Sequence, residues 1–252
     1  MRAILAIALV ALIGISGYCV LKTQGVYASE ASSHEAYMQF KPEMLGNALG
    51  AGTNALEPKG EEVKQVVVNQ NIVDLQVQNE DVVGWITVPH TGIDYPFVQA
   101  ADNGTYLHKN LYGEKAAAGT IFMDYRNSKD FSDVNTILYG HHMKNGSMFA
   151  SLKRFAEKDF FASNQKGTIF LADRTLAIEF FAYLIVKTDD NVIYAIPDSS
   201  ELTIYMDYIK NNAKNYREIG VGPEDRIVTL STCSYEFNSA RMVLLGKLIQ
   251  EH

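Results

Sequence analysis

Three side chains in this sequence have the chemistry that a cysteine acyl transfer requires. Cys233, the one cysteine after residue 22, ends the segment Thr-Leu-Ser-Thr-Cys, and Arg241 follows eight residues later. Far upstream, His141 follows the strand-like run 136–139. A cysteine thiolate attacks a carbonyl carbon, a histidine transfers the protons, and an arginine stabilises the oxyanion that forms. A lone cysteine is otherwise most often a small buried hydrophobe, and the motif around Cys233 decides against that interpretation.

The surrounding elements are expected to bring these residues to one end of a sheet. After Asp81 the chain consists of short β-type runs separated by turns, which lie at 84–88, 93–99, 120–124, 136–139, 167–172, 176–186, 226–232 and 242–250. Cys233 and Arg241 flank the loop between the last two runs, which we expect to be antiparallel neighbours. Helical patterns lie at 61–80, 147–155 and 201–215. This order predicts a single, mainly β domain, either a barrel or a sandwich.

The motifs resemble those of class B sortases. Thr-Leu-Ser-Thr-Cys with a following arginine, and Tyr-Gly-His upstream, are similar to the sortase signature. The segment 137–149, Ile-Leu-Tyr-Gly-His-His-Met-Lys-Asn-Gly-Ser-Met-Phe, resembles class B closely, as does Val-Gly-Trp-Ile at 83–86. The resemblance covers residues 65–250 and implies a closed sortase-type β-barrel of about eight strands. It also implies N-terminal helices and a helix between two late strands.

The resemblance implies roles for individual residues. Cys233 corresponds to the nucleophile, His141 to the catalytic histidine, and Arg241 to the group that binds the oxyanion or positions the substrate. The candidate substrate-binding residues are Ser231, Asn103, Leu107 and Tyr194. His142 lies beside His141, and neighbouring side chains of an extended segment point to opposite faces, so only one of the two faces the cysteine. The motif position favours His141.

The activity that the resemblance implies is transpeptidation. The enzyme would cleave a C-terminal sorting signal of the Asn/Ser-Pro-X-Thr-Gly/Asn type after Thr, and would hold the surface protein as a thioacyl group on Cys233. It would then transfer that protein to an amine of a peptidoglycan cross-bridge or stem. No metal or organic cofactor is implied. Three alternatives stay open: a cell-wall cysteine endopeptidase with water as acceptor, a pilin-polymerising sortase, and a catalytically silent surface-binding module.

The N-terminal sequence predicts a membrane anchor. Residues 3–21 are uncharged and almost wholly apolar, and a helix of that length spans roughly 28 Å, close to the thickness of a bilayer core. We therefore expect a single-pass anchor at 1–22, a flexible stalk at 23–60, and an extracytoplasmic catalytic domain at 61–252. A cleaved signal peptide is the competing interpretation, because Val-Tyr-Ala at 26–28 offers small residues for cleavage.

Charge and the remaining polar residues narrow the functional classes. The net charge of −7 disfavours nucleic-acid binding, which needs clustered Lys and Arg. The His141-His142 pair lacks the further spaced ligands that a transition metal needs. We interpret Asp124, Asp130 and Asp133, which lie in a polar segment, as solvated carboxylates rather than calcium ligands.

Overall fold

The computed structural model describes residues 2–43, 68–233 and 239–250. The helices are α1 (Arg2–Met38), α2 (Gln70–Gln78), α3 (Lys158–Ser163) and α4 (Leu202–Asn212). The strands are β1 (Val82–Val88), β2 (Ile93–Val98), β3 (Ile121–Met123), β4 (Asn135–Tyr139), β5 (Lys166–Leu171), β6 (Thr175–Lys187), β7 (Asn215–Tyr216), β8 (Arg226–Cys233) and β9 (Ala240–Gln250). Short 3₁₀ helices occupy Thr105–Leu107 and Ala150–Ala156.

Eight of the described strands close into one barrel. Their order is β5-β1-β2-β3-β4-β8-β9-β6, and the antiparallel pairing of β5 with β6 completes the ring. The two-residue strand β7 pairs with β6 beside the ring. The sheet is mixed, because β2–β3 and β4–β8 are parallel pairs whereas the other neighbours are antiparallel. This topology confirms the predicted closed β-barrel and excludes the sandwich.

Large apolar side chains fill the interior of the barrel. Ile86, Phe97, Ile169, Phe180 and Leu244 come from five different strands and are fully buried in one cluster. Because successive side chains of a strand alternate between the two faces of the sheet, each strand contributes every second residue to this interior. Removing that apolar surface from water is the main driving force that closes the barrel.

Helix α4 covers part of the outer face of the barrel. Its buried residues Leu202, Tyr205 and Ile209 recur every three or four positions, so they share one helix face. They pack in a second cluster with Phe181 of β6 and Val243 of β9. Both faces of these two long strands are thereby buried, which explains their nearly continuous apolar sequences. The predicted helix between two late strands is confirmed.

The N-terminal helices pack against the other side of the barrel. Ile72 and Leu75 of α2 are fully buried in a third cluster, which also contains Tyr37 near the end of α1. The Tyr37 hydroxyl accepts a hydrogen bond from the Leu111 backbone N–H at 3.2 Å. Of the helical pattern predicted at 61–80, residues 61–67 lie outside the described part of the chain, and α2 confirms a helix in the remainder.

The prediction of a membrane anchor is wrong. Within the described ranges, no helix has both the length and the apolar character that crossing a membrane demands. Helix α1 extends beyond the apolar run. It continues past Lys22 through polar residues to Tyr37, which packs on the barrel. The single-pass anchor at 1–22, the membrane as a partner, and the localisation inferred from them are corrected accordingly.

The structure also differs from the predicted flexible stalk. Residues 23–38 belong to α1, and the Glu30 carboxylate accepts a hydrogen bond from Asn145 Nδ2 at 3.1 Å. Residues 44–60 of the predicted stalk lie outside the described residues. The boundaries of a catalytic domain at 61–252 stay a prediction.

Candidate active site

Three adjacent strands bring the predicted catalytic positions to one edge of the barrel. β8 lies between β4, to which it is parallel, and β9, to which it is antiparallel. Cys233 is the last residue of β8 and pairs in register with Arg241 of β9. Ser231 pairs with Tyr139, the last residue of β4, so His141 lies two residues beyond the end of that strand at the same edge. The structure describes Cys233 through its backbone.

A cavity of about 260 Å³ opens at this edge. Its lining residues are Asn103, Leu107, Phe122, Tyr139, Gly140, His141, Thr188, Tyr194, Ser231, Thr232 and Arg241. All the predicted site residues whose side chains are described therefore lie around one cavity. The structure adds Phe122, Tyr139, Thr188 and Thr232, which sequence reasoning missed. Of these, Tyr139 and Thr232 had a signal in the sequence, because Tyr139 precedes the Gly-His pair and Thr232 precedes Cys233 within the quoted motifs.

The His141 ring is held by the segment that precedes β3. Its Nε2 lies 2.7 Å from the Leu107 carbonyl oxygen. A carbonyl oxygen only accepts hydrogen bonds, so Nε2 carries a proton, and in the neutral ring Nδ1 is then the acceptor. The ring also stacks on His108, with centroids 5.8 Å apart and planes 17° from parallel. In the neutral ring, Nδ1 is therefore the nitrogen that can accept a proton.

The Leu107 carbonyl is positioned by a tight loop. Asp102 Oδ1 accepts hydrogen bonds from the backbone N–H groups of Gly104 and Thr105, each at 2.7 Å, and these bonds lower the pKa of its carboxyl. Gly119 passes beneath the turn with φ +59°, and a Cβ there would lie 2.6 Å from the Leu107 oxygen. Glycine allows both the left-handed backbone and this close approach.

Arg241 lies opposite, on the other side of the strand end. Its Nη1 donates to the Ala240 carbonyl oxygen at 3.1 Å, which orients the guanidinium group. The neighbouring wall is fixed by Thr188, whose backbone N–H and Oγ1 donate to the Ser239 carbonyl oxygen at 2.9 and 2.6 Å. The end of β6 is thus tied to the residue just before β9, and a cationic donor lies at the cavity beside it.

Aromatic side chains form the wall between these groups. The Tyr194 hydroxyl and Ser231 Oγ are hydrogen-bonded at 2.9 Å. The rings of Tyr139 and Tyr194 lie 6.1 Å apart at 30°. Leu107 is exposed at the rim. Together these residues make a largely apolar surface with a few polar groups, which suits an extended peptide.

Asp124 differs from its interpretation as a solvated carboxylate. It is fully buried behind the aromatic wall, where it accepts hydrogen bonds from Arg126, Tyr139 and Asn103. Burial acts to raise the pKa of its carboxyl, but the hydrogen bonds from Arg126 and Tyr139 outweigh that effect and leave the pKa below its usual value. The polar sequence around Asp124 concealed its burial, because its donors come from distant segments and from the adjacent turn.

The chain is similar to class B sortases in sequence and in fold. The Sortase domain family matches residues 86–249. Sortase B of Listeria monocytogenes serovar 1/2a is 42% identical over 185 residues, which are 72% of this chain and 75% of that protein. The structure of Clostridium perfringens sortase B matches with a TM-score of 0.67 and 34% identity, over 70% of this chain and 98% of that chain. A Staphylococcus aureus sortase B–substrate complex matches with a TM-score of 0.68 and 29% identity, over 73% and 87%.

Proposed function

This chain belongs to the sortase family of cysteine transpeptidases and, within it, to class B, and from that premise we propose that Cys233, His141 and Arg241 are its catalytic residues. The observation that supports this assignment is the strand register, in which Cys233 pairs with Arg241 while His141 follows the strand on the other side. Residues separated by about a hundred positions thereby lie at one edge of the barrel, beside the cavity of about 260 Å³.

The first half of the reaction forms a thioester. Nδ1 of His141 first takes the proton of the Cys233 thiol. The resulting thiolate attacks the carbonyl carbon of the Thr in the sorting signal, and the carbonyl π electrons move to oxygen. When that tetrahedral intermediate collapses, the C–N bond to the following residue breaks, and His141 gives its proton to the leaving amine. The surface protein is then attached through its Thr to the Cys233 sulfur.

The second half reverses these steps with a new amine. An amine of peptidoglycan attacks the thioester carbon, His141 accepts its proton, and the C–S bond breaks to release the Cys233 thiolate. The hydrogen bond from His141 Nε2 to the Leu107 carbonyl supports this role, because it leaves Nδ1 for both proton transfers. One histidine therefore serves as acid in the first half and as base in the second.

Arg241 is proposed to stabilise the oxyanion in both halves. An arginine stays protonated at every relevant pH and presents several N–H donors in a fixed plane. Its Nη1 contact with the Ala240 carbonyl orients that plane, which lowers the cost of ordering it in the transition state.

The cavity wall is proposed to bind the sorting signal. Asn103, Leu107 and Tyr194 line one side of the cavity, and Ser231 lies two residues before Cys233 in the same strand. A peptide bound along this wall meets the strand end that carries the nucleophile. Its recognition would combine apolar contact with Leu107 and Tyr194 and hydrogen bonding with Asn103 or Ser231.

Mass spectrometry of the full chain with signal peptides tests the proposal. Peptides containing Pro-X-Thr-Gly or Pro-X-Thr-Asn are incubated with and without an amine of the diaminopimelate or glycine type. We expect a product that ends in Thr, a thioester on Cys233, and an amine-linked product. Cys233→Ala should abolish all three. Cys19→Ala is the matched control, because it removes the other, exposed cysteine in α1 and should leave turnover unchanged.

The outcomes separate the proposal from two of the three alternatives, the endopeptidase and the silent module. Products that are only hydrolysed, even with amine present, would indicate a cysteine endopeptidase. Turnover that survives Cys233→Ala would contradict the proposed nucleophile. A folded chain that processes none of the peptides would favour a silent surface-binding module.

A further inference from the structure

Asp124 is a buried carboxylate directly behind the wall of the cavity. Its Oδ1 accepts hydrogen bonds from the backbone N–H and the Nε of Arg126, at 3.0 and 2.8 Å. Its Oδ2 accepts from Arg126 Nη2 at 2.8 Å, from the Tyr139 hydroxyl at 3.0 Å and from Asn103 Nδ2 at 3.1 Å. We call Asn103, Asp124, Arg126 and Tyr139 the Asp124 cluster.

The Asp124 cluster connects three separate segments of the cavity wall. Asn103 and Tyr139 line the cavity themselves. Arg126 Nη2 also donates to the backbone carbonyl oxygen of Tyr194 at 3.1 Å, and Tyr194 is a third lining residue. Asn103 is held at both ends of its amide, since its Oδ1 accepts a backbone N–H at 3.0 Å. One carboxylate therefore determines where three residues of the wall lie.

The chemistry of the cluster requires a carboxylate. An ionised carboxylate only accepts hydrogen bonds, and every group that faces Asp124 here is a donor. Burial, and next the charge of Asp124, raise the pKa of Tyr139 well above its usual value, so its hydroxyl keeps the proton that it donates. An amide in place of the carboxylate would point an NH₂ group at other donors and leave buried polar atoms unsatisfied.

We propose that Asp124 is a positioning residue for recognition of the sorting-signal peptide, which acts by holding Asn103, Tyr139 and the Tyr194 backbone in the cavity wall. This inference rests on the proposed function of the cavity. Asp124 itself is covered by its partners and does not touch the peptide. Its loss should therefore weaken peptide binding and leave the chemistry at Cys233 and His141 intact.

Steady-state kinetics of the full chain tests this proposal with Asp124→Asn. We expect the KM for the signal peptide to rise by about tenfold or more, since hydrogen bonds to a charged group carry binding effects of that size, with kcat little changed. The rate at which iodoacetamide alkylates Cys233 should stay at the wild-type value, because this small reagent does not need the peptide wall.

Asp94→Asn is the matched structural control. Asp94 accepts side-chain hydrogen bonds from Trp85 at 2.7 Å and Thr87 at 2.9 Å, but it lies in β2 beside α1 and does not line the cavity. Its substitution should lower the melting temperature without changing the peptide KM. If Asp124→Asn does not fold, Arg126→Gln gives the second test. It keeps the carboxylate and removes the contact with the Tyr194 carbonyl, and a smaller rise in KM is expected.

Three results would contradict the positioning role of Asp124. An unchanged KM in Asp124→Asn would mean that the Asp124 cluster only stabilises the fold, as Asp94 does. If only Arg126→Gln folds, an unchanged KM in that variant would mean the same. A parallel fall of kcat and of Cys233 alkylation would overturn the proposal by placing the effect on the catalytic pair. Additive effects of Asp124→Asn and Tyr139→Phe in a double-mutant cycle would contradict action through Tyr139. Failure of the proposed function itself is distinguishable, because the wild-type chain would then show no Cys233-dependent product.

Discussion

Gly119→Ala should displace the carbonyl that orients His141. A Cβ at position 119 would lie 2.5 Å from the Tyr106 carbonyl oxygen and 2.6 Å from that of Leu107, whereas real Cβ atoms essentially never approach closer than 3.0 Å. A shift must relieve these contacts, and we expect the Leu107 oxygen to move away from residue 119. Its contact with His141 Nε2, now 2.7 Å, lengthens toward the limit of about 3.2 Å at which such hydrogen bonds weaken.

The substitution has two separable costs. Residue 119 has φ +59°, and an alanine in the left-handed region costs about 1–2 kcal/mol of unfolding free energy. The displaced carbonyls add about 1 kcal/mol through weakened hydrogen bonds. General acid–base catalysis contributes about 10²–10⁴-fold to a rate, so a misoriented His141 should lower kcat by about ten- to a hundredfold.

Gly113→Ala is the control that isolates the displacement. Gly113 lies in the same connection with φ +78°, and no heavy atom lies within 4 Å of the position of an added Cβ. This variant carries the backbone strain without the clash. We expect both variants to melt at lower temperature, and only Gly119→Ala to lose kcat in the peptide assay. Equal kcat values in the two variants would refute the argument that the Leu107 carbonyl positions His141, the proposed catalytic histidine.

Two further predictions concern charge. Arg241→Lys should lower kcat strongly although it keeps the positive charge, because a lysine lacks the planar set of donors that we propose binds the oxyanion. The peptide assay measures kcat, and Cys233 alkylation checks that the variant is folded. The contribution of ionised Asp124 to the free energy of unfolding should be complete above about pH 4, the pKa of an aspartate in the unfolded chain. It should be lost as the pH falls through the pKa of Asp124 in the folded protein, which is lower. The difference in melting temperature between wild type and Asp124→Asn should therefore narrow as pH falls from about 6 to about 3.

Each of these two predictions has a result that would contradict it. Full activity of Arg241→Lys would remove the oxyanion role from Arg241 and leave it as a general cation at the cavity. A melting-temperature difference that stays constant down to acidic pH would mean that Asp124 is not ionised in the fold, against the hydrogen bonds that it accepts from Arg126.

Local sequence patterns predicted the main elements of the fold. The β-type runs correspond to strands of the barrel, and the apolar spacing of 201–215 corresponds to α4. These patterns can be recognised in the sequence because the alternation of apolar residues along a strand, and their spacing along a helix, involve only residues close in the chain. The pattern at 147–155 corresponds to the 3₁₀ helix Ala150–Ala156, in which Leu152 and Phe155 are buried.

The N-terminal segment shows the opposite case. Its apolar residues matched the length of a membrane span, and the polar residues after them predicted a flexible stalk. The structure has one helix through both parts, with Tyr37 buried against the barrel and bonded to Leu111. That docking depends on a surface formed by residues far along the chain, so composition alone cannot reveal it.

Local residue order was sufficient to predict the proposed chemistry of this protein, because the thiol after the N-terminal segment, the histidine and the arginine each lie in a motif of neighbouring residues. The residues that surround these three positions depend on the tertiary structure. Closure of the barrel brings Asn103, Tyr139 and Tyr194 to one cavity, and it buries Asp124 behind them. Such contacts depend on the register of strands distant in sequence and on three-dimensional side-chain packing, which no local pattern records.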